Sequence, residues 1–309
     1  MLPEANGPIV TLWHGDGIES AWLSARDLLL QAKPRTVQLH TWSPRSVADS
    51  IKRALPDSKL VCGFGIDGIA RDVTKRRLTV SEGVRLFVRL ADRAQSAGAF
   101  AVKWNAEAAW KRPPNSLEAT LLRELVRAAL AEVAARFPSL QQWHTAYDHP
   151  TFHSTYNWSD WLNASSPIVA SFPQVYAAPG DGLMAHRGAL PARETRALSS
   201  WRSAIRAGWI VADDPSTALR EGVAWRPYYQ LHHVSARDTI SSAITHECAA
   251  LWAAPSRMDR EGKTAFLALC ELHRRGFWHP EGLREFQSSA GLVADGIWGP
   301  RTARALGVA

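Results

Sequence analysis

The sequence predicts an α/β protein: a (β/α)8 TIM-like barrel followed by a small all-α three-helix module. Three observations carry that expectation. Over residues 1–254, short apolar runs alternate with amphipathic helical stretches, the pattern of strands each followed by a crossover helix. That length matches the ~250 residues usual for one such barrel. After a short charged segment at 255–263, residues 264–309 carry only brief helical patterns punctuated by glycine and proline.

Eight strand-like runs follow in order: PIVTLWHG from Pro8, TVQLHTW from Thr36, KLVCGFGI from Lys59, AFAVKWNAE from Ala99, QQWHTAYD from Gln141, PIVASFPQVYA from Pro167, GWIVAD from Gly208 and YYQLHHV from Tyr228. Between the early ones lie SAWLSARDLLLQA, SVADSIKRAL, SEGVRLFVRLADRAQSAG and SLEATLLRELVRAALAEVAARF, with leucine, valine and alanine at three-and-four spacing. An open doubly wound sheet would give a similar alternation, and the seventh and eighth units are short. The glycines of GFGIDG lack the lysine and hydroxyl residue of a nucleotide loop and read as a turn at a strand end.

In a barrel of this kind the working residues sit at the C-terminal strand ends, where the loops converge on one mouth. Those ends supply carboxylates, aromatics and imidazoles, the groups a saccharide cleft needs. The candidate substrate-binding residues are Trp13, His14, Asp16, His40, Trp42, Trp104, Tyr147, Gln174, Tyr176 and His232.

Glu107 is the first candidate for catalysis. It follows the apolar run AFAVKW in WNAEAAWK, with Trp104 and Trp110 near in sequence, and burial against indoles would raise a glutamate toward general-acid use at neutral pH. Asn105, two residues earlier, falls on the same strand face. The N-A-E triplet resembles the D-x-E signature on the fourth strand of barrel-type bacterial and phage muramidases and related chitinase-like enzymes. The resemblance implies that Glu107 protonates the glycosidic oxygen and that position 105 orients a substrate acetamido group or a water. Asn105 departs from the pattern by removing one charge. An amide can hydrogen-bond an acetamido group, but it cannot stabilise developing positive charge as a carboxylate does. Glu107 could instead be a mouth residue paired with Lys103 or Lys111.

A second carboxylate is required unless the substrate's own acetamido oxygen attacks. Asp148 in AYDHP is the leading partner, with Asp67 in GIDG and Asp16 in HGDG behind it. A separation of about 5 Å would specify retention and about 6.5 to 9.5 Å inversion. Asp67 and Asp16 both precede glycine, so each can equally be a turn or helix-cap residue.

The histidines His14, His40, His144, His149, His153, His232 and His233 would be the ligands of a metal site, but no H-x-H strand or H-E-x-x-H helix organises them. The expectation is therefore no metal and no cofactor. Cys62, Cys248 and Cys270 are odd in number and sit in apolar contexts, as buried free thiols do in a reducing compartment.

In the C-terminal segment, TAFLALCELHRRGFW reads as a helix with Phe266, Leu269, Cys270 and Leu272 on its apolar side. LREFQ buries Leu283 and Phe286 on a second helix, which Gly291 stops; Pro300 can open a third, containing Thr302, Ala303, Ala305 and Leu306. The order of FQ (Phe286, Gln287), GL (Gly291, Leu292), DGI-GP-T (Asp295, Gly296, Ile297, Gly299, Pro300, Thr302) and a closing Leu306 resembles the peptidoglycan-binding domain family found at one end of many wall hydrolases. It departs from the family where Arg275–Pro280 replaces an earlier Gly-rich turn. The resemblance covers only this end of the chain and implies a module that holds peptidoglycan.

A formal net charge of +7 suits an anionic surface such as a bacterial envelope or a nucleic acid. Fourteen tryptophans against five tyrosines, without a long basic run, favour sugar over nucleic acid, although core packing accounts for most indoles in most proteins. No run of ~18 apolar residues spans a membrane. The N-terminus carries no basic and apolar leader, so the expectation is synthesis in the cytoplasm and action on the bacterial wall, as a phage-type endolysin or a lysin carried by a phage tail or injection particle.

The sequence thus points first to a peptidoglycan hydrolase cutting the glycan strand as an N-acetylmuramidase or N-acetylglucosaminidase. The alternatives are a non-catalytic wall-binding or particle protein with a degenerate barrel, and third an N-acetylmuramoyl-L-alanine amidase or other metal-dependent wall hydrolase.

Overall fold

The computed structural model describes residues 7–13, 17–146, 155–156, 158–162, 166–173, 224–225, 228–230, 250–253, 260–279 and 281–308. Its first half repeats strand and helix: β1 (Gly7–Trp13), α1 (Ile18–Ala32), β2 (Thr36–His40), α2 (Arg45–Ala54), β3 (Lys59–Gly65), α3 (Asp67–Thr74), α4 (Val80–Ser96), β4 (Ala101–Asn105), α5 (Leu117–Arg136) and β5 (Gln141–Ala146). There follow α6 (Trp158–Leu162), β6 (Ile168–Pro173), β7 (Ala224–Trp225), β8 (Tyr228–Gln230) and β9 (Ala250–Ala253). Three helices end the chain: α7 (Arg260–Arg274), α8 (Gly282–Ser289) and α9 (Pro300–Leu306).

The nine strands among the described residues belong to one sheet in the order β7-β6-β5-β4-β3-β2-β1-β9-β8, and each of their pairings is parallel. The two edge strands reveal that this sheet closes. Trp225 ends β7 and Tyr228 begins β8, so three virtual bonds join the opposite ends of the sheet and hold them within ~11 Å. Laid flat, eight interstrand steps would separate them by ~38 Å. Only a sheet curled into a barrel satisfies both, with β7 and β8 sharing the seventh position and β9 the eighth.

This assignment corrects the end of the strand list. The YYQ of YYQLHHV is β8, at the seventh position, and the strand beside β1 is the ALWA of β9. GWIVAD lies outside the described residues.

Pleat alternation sorts the strand side chains into two layers. Val10, Leu12, Val37, Leu39, Leu60, Cys62, Phe64, Val102 and Trp104 face the helices and share one continuous apolar core with them. Helix α4 illustrates how sequence builds that layer. Thr79 and Glu82 form a reciprocal capping box at its start, and Gly83, Phe87, Leu90, Ala91 and Ala94 bury one face. Burial pushes the Cys62 thiol up to about 12 and the Cys270 thiol well above its usual value, so both are inert core residues.

Helix α7 starts at Arg260, inside the segment read as linker, and packs against α1 and β1 of the barrel as well as against α8 and α9. The apolar residues Phe266, Leu269, Cys270 and Leu272 are all buried there. Helix α8 ends before Gly291 at φ 68°, and α9 opens on Pro300 and stops at Gly307 at φ 82°, positions where a side chain would be strained. Gln287 ties these turns together. Buried to 2 % exposure, its amide nitrogen lies 2.9 Å from Asp295 Oδ1, 3.0 Å from the Ile297 carbonyl and 3.3 Å from Thr302 Oγ1, while its oxygen accepts the Gly296 N–H at 2.8 Å. The FQ, DGI and T positions of the sequence pattern are thus one hydrogen-bonded unit.

No helix among the described residues is long and apolar enough to cross a membrane.

Candidate active site at the barrel mouth

The inward face of the strands is polar. Thr11, Thr36, Gln38, His40, Lys103 and Thr145 are all buried and all fall at inward pleat positions, alongside Ile9, Val61, Ala101 and Trp143. Lys103 is 1 % exposed and donates to Gln38 Oε1 at 3.0 Å, spanning β3 from β4 to β2. Loss of water lowers its ammonium well below the ordinary lysine value.

Gly63 leaves room for the span. Gly63 and Gly65 are inward positions of β3, neither at positive φ, rather than turn residues. A Cβ at Gly63 would sit 2.8 Å from Gln38 Nε2 and 3.3 Å from His40 Nδ1, so the side chains of β2 lie across the bare backbone there. The turn reading of GFGIDG therefore holds only from Asp67, where α3 begins. The missed signal was parity: glycines at two successive same-face positions of an apolar strand mark a place where neighbours cross it.

At the C-terminal ends, Asn105 is the last residue of β4 and half-buried; its carbonyl accepts the Ile66 N–H at 3.1 Å. Glu107 is also half-buried and opens a single 3-10 turn at Ala108–Trp110. Its backbone is fixed by Asp67: the Glu107 N–H donates to Asp67 Oδ1 at 2.8 Å and the Ala109 N–H to Oδ2 at 3.2 Å. Both oxygens of Asp67 thereby hold the β4 loop, a clamping role that stands beside its candidacy as a reacting carboxylate; it opens α3 and is not that helix's N-cap. Sequence could not show the clamp, because the donors come from forty residues downstream.

Trp104 also changes role. It is 0 % exposed on the helix-facing side, its ring 4.9 Å from that of Phe87 and its indole N–H bound to Gln142 Oε1 at 3.1 Å. Trp110, 5.0 Å from Trp161, is buried in the same layer. Both indoles are closed off from solvent in the helix-facing layer, which does not suit Trp104 to the sugar contact expected of it. Trp42, just after β2, is the one described indole that is largely exposed, at 44 %; its ring lies 6.2 Å from Phe64 and its carbonyl accepts from Arg93 at 2.9 Å.

His40 ends β2 at 8 % exposure beside Gly63 and Gly65. His144 is a core residue: Nδ1 lies 3.0 Å from Ser171 Oγ, Nε2 2.7 Å from the Tyr156 hydroxyl, and its ring stacks on Trp161. Desolvation, followed by the nearby Lys103, lowers it to about 3, so it stays neutral. Among the described residues no three His, Cys, Asp or Glu side chains gather as metal ligands. His14, Asp16, Tyr147, Asp148, Gln174, Tyr176 and His232 lie outside the described residues; Trp13 ends β1, but its side chain does too.

At the barrel mouth, a glutamate with a clamped backbone, an amide, an imidazole and an exposed indole occupy the ends of β2 and β4. Comparison with solved structures supports the fold. A GH5 cellulase described as Bacteroidetes-affiliated and linked with a polysaccharide utilization locus is 11% identical over 87% of this chain and 92% of its own, with a TM-score of 0.53. A GH18 chitinase from Pseudoalteromonas aurantia is 12% identical over 80% of this chain and 93% of its own, with a TM-score of 0.49. No protein-family model and no curated protein matches the sequence.

Proposed function

We propose that this chain is a glycoside hydrolase of the bacterial cell wall, cutting the peptidoglycan glycan strand as an N-acetylmuramidase or N-acetylglucosaminidase. The observation that carries the reading is Glu107. It is a half-buried carboxyl at the C-terminal end of the fourth barrel strand, with its backbone clamped by Asp67 and the amide of Asn105 two residues before it. A general acid must be held still relative to the bond it protonates, and this glutamate's main chain is fixed on a rigid strand end. The exposed face of Trp42 offers a platform for a sugar ring. The glycan class is supported by the muramidase-like N-A-E triplet, and the wall by the C-terminal pattern from Phe286 to Leu306. In this reading α7, α8 and α9 keep the enzyme on its polymer and raise the local substrate concentration. The cellular setting that fits is phage-type lysis or delivery on a tail or injection particle.

Asn105 favours a second reading, a wall-binding or particle protein whose barrel has lost its chemistry, because a carboxylate is missing from that position. One experiment separates the two. Purified peptidoglycan is incubated with wild type and Glu107→Gln, and the released fragments are read by mass spectrometry. New reducing ends on muramic acid or glucosamine with wild type, lost in the variant, are the expected outcome. Free stem peptides would point to an amidase, and binding without fragments to the non-catalytic reading.

A further inference from the structure

Helix α7 belongs to two bodies at once. It follows β9, the strand in the eighth barrel position, and packs against α1 and β1, so it is the eighth crossover helix of the barrel. It also packs against α8 and α9. Burial around its circumference records both sets of neighbours. Ala265, Phe266, Ala268, Leu269, Cys270 and Leu272 are all buried. At 3.6 residues per turn these positions cover an arc of roughly 200°, where a helix lying on one surface buries a stripe of about 100°.

Direction then fixes where α8 and α9 are attached. A crossover helix runs antiparallel to the strands, so α7 starts on the side of the mouth and ends, about 22 Å further on, at the opposite face of the barrel. The contacts that tie α8 and α9 down lie at that far end. Arg275, the residue after α7, donates to the Leu306 carbonyl at 3.3 Å and lies over the Phe286 ring at 5.7 Å, and the Phe277 ring is 5.6 Å from that of Phe286. The connection is tight: the Phe277 N–H donates to the Leu272 carbonyl at 2.9 Å, and the Phe277 backbone leaves no room for a Cβ at Gly282. Asn105 and Glu107 stand at the other end of the barrel, where β4 finishes.

We infer that this chain holds one glycan strand and cuts another: the α8–α9 unit grips a strand at the face opposite the mouth, while a neighbouring strand crosses the mouth itself. The inference rests on the wall-hydrolase reading above and names the substrate that follows from it, adjacent strands of a layered wall.

Rigidity carries the argument. A flexible tether would let the two sites share one strand at a high effective concentration. With one helix common to both bodies, swinging α8 and α9 round to the mouth would uncover Phe286 and the apolar arc of α7. A strand gripped at the far face would have to turn back along the height of the barrel to enter the mouth.

The test uses full-length Glu107→Gln, the variant expected to bind without cutting, and uncrosslinked glycan strands of two lengths. The short one just fills the mouth; the long one can pass round the barrel. Sedimentation in strand excess gives the stoichiometry, and titration calorimetry gives the affinity. The expected result is two strands per chain at both lengths, with closely similar affinities. One long strand per chain, bound ~10²-fold or more tighter than the short one, marks a single strand engaging both sites and overturns the inference. One short strand per chain, while wild type still releases fragments from it, overturns it too, because only the mouth then binds. If wild type releases no fragments, the glycan-hydrolase reading falls and this inference with it.

Discussion

Asp67→Asn tests whether this carboxylate is a clamp or a reactant. In the folded protein its two oxygens accept the backbone N–H groups of Glu107 at 2.8 Å and Ala109 at 3.2 Å, and Asp67 is the first residue of α3. Asparagine keeps one acceptor and turns the other oxygen into an NH2 group that faces an N–H, donor against donor. A hydrogen bond to a charged group contributes about 1.5–3 kcal/mol, and a carboxylate in a helix's first turn about 0.3–1 kcal/mol more. One such bond is lost and the other weakened at a half-buried site, so the expected cost is about 2–3 kcal/mol in urea unfolding. Because the Glu107 backbone then moves, kcat on purified peptidoglycan should fall by roughly one to two orders of magnitude. Glu107→Gln should instead abolish turnover at nearly unchanged stability. If Asp67→Asn unfolds with wild type yet is as inactive as Glu107→Gln, Asp67 is a reacting group and the clamp argument is wrong.

Two further expectations concern stability. Gln287→Leu should destabilise the α8–α9 unit by about 2–4 kcal/mol, since the buried amide is replaced while the Gly296 N–H and the Ile297 carbonyl lose their partner; unchanged urea denaturation followed by circular dichroism would deny the amide its role. His144 is neutral when folded, its value lowered from 6.5 to about 3, so the unfolded chain alone takes the proton between those limits. The associated stability is complete above pH 6.5 and is lost as pH falls toward 3, by up to about 1.4 kcal/mol per pH unit. His144→Gln should flatten that acid limb in urea midpoints measured from pH 7 to 4, and an unaltered slope would show that other groups set it.

The sequence by itself determined the repeating architecture, because burial of one face imposes a period that neighbours in the chain record directly. The first six strands and helices α1, α2, α4 and α5 follow from it, as do Gly291 and Pro300 as helix punctuation in the C-terminal segment. It also located Asn105 and Glu107 at the end of β4, since a strand end is where the apolar alternation stops. Closure and direction belonged to the tertiary structure. YYQ reads as well for an eighth strand as for a seventh until β9 takes the place beside β1. Pleat parity places Trp104 on the opposite face from Asn105, yet only packing against Phe87 shows that face to be the helical one. Asp67 beside a glycine is a capping signal and a catalytic signal alike, and its clamp on backbone donors forty residues away shows only in the folded chain. The glycines at 63 and 65 acquire meaning only when β2 and β4 lie on either side, because a space between strands is a property of three segments that no single segment encodes.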